Sequence, residues 1–137
     1  MKYKRILVLL LIGLFLVGSL QAEYIPFKVK LNALERFIIG VLLPKEASFA
    51  QWKIYNDLKN QLSFTDEESI ALELQPAENG GVKGKWFAIP EKEITFGEIA
   101  EKYIMETLKD LDSKGKLLSE HIPLYEKFVL RGKDASL

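Results

Sequence analysis

The chain has 137 residues, no cysteine and one histidine, and its 19 basic side chains are matched by 19 acidic ones. This excludes disulfides, any metal site that needs two histidines, and the strong positive field that draws a protein to nucleic acid from a distance. A length of this order provides one ordinary domain with a core of its own.

The N-terminus reads as a targeting segment. Lys2, Lys4 and Arg5 precede a run of 15 uncharged, mostly apolar residues, Ile6 to Leu20, and Gln21 and Ala22 lead into the first acid, Glu23. A positive start, an apolar stretch and a small residue at the cut form the pattern of an export signal. A membrane-spanning helix needs about 20 apolar residues, so the run suits a cleavable signal better than an anchor. The bulky Leu20, three residues before the cut, keeps open a retained inner-membrane anchor. Met1–Ala22 is thus expected to be the signal or anchor and the chain's only membrane contact, and residues 23–137 a single domain. Since Lys2, Lys4 and Arg5 belong to the leader, that domain holds 16 basic against 19 acidic side chains, a net charge of −3. No Asn-x-Ser/Thr triplet occurs.

Residues 23–30 are expected to be an extended lead-in, since Pro26 disfavours helix at Ile25. Leu31 to Leu43 has apolar residues at helical steps (Leu31, Leu34, Ile38, Val41, Leu42). Phe37, Ile39 and Leu43 widen the stripe so far that the helix should lie near the centre of the core. Ser48 with Gln51 forms a capping box for a second helix with Phe49, Trp52, Tyr55, Leu58 and Leu62 inward. Thr65 with Glu68 starts a short helical turn. Ile70, Leu72 and Leu74 then alternate with polar or small residues, as in a strand. Asn79-Gly80-Gly81 predicts a hairpin with a return strand from Val82 to about Ile89, and Lys92–Phe96 a third short strand. Thr95 with Glu98 is read as the cap of a helix that turns Phe96, Ile99, Ala100, Tyr103, Leu108 and Leu111 inward and stops at Gly115. Ser119 opens a last helix with Pro123 in its first turn, lined by Ile122, Tyr125, Phe128 and Val129. From Arg131 on, the chain should fray.

The expected fold class is α+β: a small, mainly helical domain of about four helices with a central β-hairpin or three-stranded meander, loosely winged-helix-like. The segments Leu34-Glu35-Arg36, Leu42-Leu43-Pro44, Leu62-Ser63-Phe64-Thr65, Glu67-Glu68 and Leu124-Tyr125-Glu126-Lys127-Phe128 resemble a group of short proteins carried by phages and prophage-bearing bacteria. The resemblance runs through the mature part. It implies no activity, and no functional residue carries over from it.

Candidate chemistry is sparse. Gly80 and Gly84 enclose three residues where a phosphate loop needs four, and Trp86 follows Lys85 where it needs Ser or Thr. Lys83, Lys85 and Phe87 would share one face of the return strand, with Trp86 on the other. They are the candidate partner-binding residues, against the plainer reading of a strand edge kept soluble by lysines. His121 is expected at the surface of a helical turn, and Ser119, two residues away, does not face it. Asp66, Glu67, Glu68, Glu91, Glu93, Glu98 and Glu101 supply carboxylates that caps, helix dipoles and pairs such as Glu98 with Lys102 account for. No catalytic residue, cofactor or metal site is assigned. The reading that remains is an exported, periplasmic or secreted domain that binds a protein or other macromolecule without catalysis. Its alternative is an intracellular, winged-helix-like module on nucleic acid, which the charge of −3 opposes. A carboxylate hydrolase has no positive support.

Overall fold

The computed structural model describes residues 23–131; the expected export signal or anchor, Met1–Ala22, and the tail from 132 on lie outside them. The described residues form an α+β domain, five helices with two small antiparallel β-pairs. β1 (Phe27–Leu31) runs into α1 (Ala33–Leu42), followed by α2 (Phe49–Leu62) and α3 (Asp66–Leu72). The two-residue strands β2 (Gln75–Pro76) and β3 (Val82–Lys83) form a hairpin, and β4 (Lys92–Phe96) leads into α4 (Glu98–Ser113). A 3-10 turn at Ser119–His121, the short α5 (Ile122–Tyr125) and a π-helical turn at Glu126–Leu130 close the described chain.

Of the expected hairpin or three-stranded meander, the hairpin forms and the meander does not. β4 pairs with β1, from Phe27 opposite Phe96 to Leu31 opposite Lys92, and the hairpin stands apart as its own pair. Alternation sends Phe27, Val29, Leu31, Ile94 and Phe96 toward the core and Lys28, Lys30, Glu93 and Thr95 away from it. Phe27, Phe96 and Phe128 meet in a cluster with centroids 5.0–6.2 Å apart, Phe128 edge-on to the other two. Leu31 is therefore the buried end of a strand, and Asn32 caps α1 in a reciprocal box with Glu35.

The boxes at Ser48/Gln51 and Thr65/Glu68 are present. The third is not. Gly97 stands at the N-cap of α4 without a side-chain bond, because Thr95 is committed to the sheet. The Gln61 side chain accepts from its N–H and donates to its carbonyl, closing the outer edge of β4 as a strand would. The alternation over Ile70–Leu74 belongs to the end of a helix. Only Leu72 of α3 is buried, Ile70 is exposed, and the chain leaves at Glu73 in a left-handed conformation, φ 49°.

The hairpin turn forms as its sequence demands. Gly80 takes φ 82°, and the Asn79 side chain accepts from the Gly81 N–H. The return strand ends after Lys83. Gly84 packs against the end of α3, where a Cβ would meet the Leu72 carbonyl at 2.9 Å and Leu74 Cδ2 at 2.7 Å. The Lys85 N–H then bonds to the same carbonyl at 2.7 Å.

Several core assignments change. Phe49 is 88% exposed, Val41 61%, and Ile99 and Ile122 are also exposed. Trp52 is half-buried under the Lys59 ammonium rather than in the core. Ile104 and Leu124, both fully buried, take up the core positions on α4 and α5. Gly115, φ 65°, ends α4 as expected. Arg131 does not fray: it pairs with Glu101 and lies over the Phe27 ring.

Candidate binding face

Arg36 organises one side of the domain. Helical phase carries it under the end of α2, where the guanidinium is buried and every nitrogen is used. Nε donates to the Leu62 carbonyl at 3.3 Å, Nη2 to the Ser63 carbonyl at 2.6 Å, and Nη1 to Glu68 at 2.8 Å. The Phe64 ring lies 4.4 Å from its Cζ. Glu68 also closes the capping box of α3, so this one carboxylate ties α1, the α2–α3 turn and α3 together. The hydrogen bond from Arg36 is the main reason its carboxyl is held below the usual range; desolvation opposes that effect and Thr65 assists it.

With Arg36 turned inward, the next exposed side of α1 is apolar. Phe37, Gly40 and Val41 form one wall of a groove of about 340 Å³, and Lys59, Leu62, Ser63 and Phe64 the other. Phe37 also borders a second groove, of about 360 Å³, against Leu74, Pro76 and Val82 of the hairpin arm. Trp86 packs on Phe37 at 5.3 Å between ring centroids. Phe37 is thus the ridge between two apolar grooves. The sequence carried one signal of this: a helix with almost no polar face is either enclosed or leaves an apolar side uncovered. Here the second holds, and the expected central burial of α1 is corrected on this side.

The structure does not bring Lys83, Lys85 and Phe87 together on a strand face. Lys83 is exposed on β3, whereas Lys85 lies beyond it and pairs with Glu73 at 2.8 Å. Phe87, 82% exposed, sits in the turn that the Ala88 N–H closes on the Lys85 carbonyl. Trp86 occupies the same turn, half-buried against Phe37.

The other ionisable candidates are structural. His121 is buried, not at the surface, and its Nδ1 accepts from the Leu118 N–H at 2.9 Å. Glu101 is buried, takes the Tyr24 hydroxyl and pairs with Arg131. Glu35 is buried with Lys127 Nζ 2.8 Å from both oxygens; Oε1 takes the directed hydrogen bond and Oε2 is held by charge alone. Lys102 pairs with Glu106 rather than Glu98, at 4.0 Å. The Tyr125 hydroxyl is held above its ordinary range by its hydrogen bond to Asp112, and burial raises that of Tyr55. Among the described residues no group of three or more His, Asp or Glu is placed to hold a metal ion, and no helix is long and apolar enough to cross a membrane.

No protein-family model matches the chain, and neither does any curated protein or solved structure.

Proposed function

We propose that the chain is an exported binding module, periplasmic or extracellular, that holds another macromolecule against the Phe37 face without catalysis. The observation that carries the proposal is the double use of Phe37. One half-buried aromatic ring separates two apolar grooves and is backed by Trp86. Apolar grooves with a few polar groups at the rim are the usual form of a docking surface. The export half of the proposal rests on Lys2, Lys4, Arg5, the run Ile6–Leu20 and Ala22. A place among phage- and prophage-borne proteins is part of the proposal and rests on the capping and core segments named above. The hairpin lysines favour no second reading, since Lys85 is paired and the domain is net acidic.

A photo-crosslinking amino acid placed at Val41, with a control at the exposed Lys109 of α4, tests the docking half in living cells. The proposal expects a discrete adduct from Val41 in the export fraction and none from Lys109. Equal labelling from both sites, or none from Val41, rejects it.

A further inference from the structure

We infer that the groove beside Gly40 receives an α-helical segment of a partner protein that presents a carboxylate to Lys59. This rests on the proposed docking face and names its occupant. The starting point is a residue that the fold does not require. Gly40 lies inside α1, where glycine is the least favourable residue after proline. Its backbone does not need the left-handed region, and a Cβ built on it would meet nothing within 4 Å. Neither strain nor packing within the domain asks for glycine here. What glycine does is remove bulk from the wall of the groove between the ring of Phe37 and the exposed Val41. A missing side chain between two apolar ones lets another backbone come close, the usual service of glycine at a contact.

Two observations choose the occupant. Lys59 stands on the opposite wall with its Nζ 5.0 Å from the Trp52 ring centroid, and among the described residues no carboxylate pairs with it. Its place in the last turn of α2 suits a cation, and its ammonium on the wall of a largely apolar groove is a charge that an acidic side chain of the occupant would complement. An extended segment would look for a strand edge to extend. Every lining residue of this groove belongs to α1, α2 or the turn after α2, so it offers no strand edge, and the β4 edge beside it is already closed by Gln61. A helix satisfies its own backbone and needs only apolar contacts at three- and four-residue steps with one acid at the rim.

The test selects helix-stabilised display peptides on the protein recovered from expressing cells, then titrates the synthesised winners by fluorescence anisotropy. The enriched peptides should carry apolar residues at helical spacing with an Asp or Glu beside them. Gly40→Ala should weaken them, and Gly40→Leu should do so at least tenfold, while the urea midpoint stays level or rises. Lys59→Glu should weaken them at least tenfold, and a peptide with Lys in place of its acid should recover affinity for that variant. Peptides that lose affinity with Val41→Glu but ignore Gly40→Leu and Lys59→Glu would leave the docking face standing and overturn the helix-with-carboxylate occupant. If no peptide distinguishes wild type from Val41→Glu, both fail. Sedimentation that finds a dimer dispersed by Gly40→Leu would overturn the inference in favour of a second copy.

Discussion

Replacing Arg36 by Met should remove about 3 kcal/mol of folding stability, the low end of the range for taking one partner from a buried ion pair. The low end applies because Glu68 keeps 24% of its side chain in water and can be rehydrated. The loss is not larger, since Met refills the volume of the stem. It is not negligible either, because the Leu62 and Ser63 carbonyls lose their donors with the charge. Glu68→Gln keeps the shape but exchanges charge-assisted bonds for neutral ones, a change of about 1 kcal/mol. The pair also predicts a pH dependence. Glu68 titrates lower in the folded state than in the unfolded one. Its contribution is therefore complete above the unfolded carboxyl value and is lost as pH falls through the folded value. Urea titrations followed by the fluorescence of Trp52 and Trp86, run from neutral pH into the acid range, measure both effects. Glu68→Gln should flatten the acid limb. An Arg36→Met variant within about 0.5 kcal/mol of wild type, the range of an ordinary surface change, would refute the clasp.

Other substitutions separate the core from its expected outline. Phe128→Ala should cost about 3–5 kcal/mol as a buried aromatic lost from the core, whereas Trp52→Ala should cost about 1 kcal/mol, the centre of the range for point changes. Equal losses in denaturant titration would contradict the packing described here. Gly84→Ala should destabilise by about 1–3 kcal/mol, because its methyl overpacks the contact with Leu72 and Leu74; a neutral result would mean that the hairpin arm shifts freely. In anisotropy titrations with random duplex and single-stranded oligonucleotides at about 0.15 M salt, no useful binding is expected. Sub-micromolar affinity abolished by changing Lys83 and Lys85 to Glu would instead establish a nucleic-acid module.

The legible parts of the fold were those set by neighbouring residues. The boxes at Ser48 and Thr65, the hairpin turn at Gly80 and the helix stop at Gly115 rest on contacts within a few positions, and they stand where the sequence puts them. Long-range choices were not legible. Period-two alternation marks Lys92–Phe96 as a strand but cannot name the lead-in at Phe27–Leu31 as its partner. Thr95 has the right spacing for a cap, yet Gln61, distant in sequence, holds it in the sheet. Three alternating residues at Ile70–Leu74 suit a strand or a helix end equally, and the Thr65 cap decided for the helix. The Phe37 face escaped for a related reason. An apolar helix reads as central until the side left uncovered is seen. The hairpin lysines drew notice for their charge, but the strand ends at Lys83, so Lys85 and Phe87 lie in the turn beyond it and do not continue its face.

Export is the claim on which the proposed function depends most, and the mass of the mature protein tests it directly. The full chain is expressed from its own start in a bacterium, the cells are fractionated, and each fraction is weighed by mass spectrometry. The account predicts a product outside the cytoplasm that begins at Glu23. An intact chain, soluble in the cytoplasm, would contradict it.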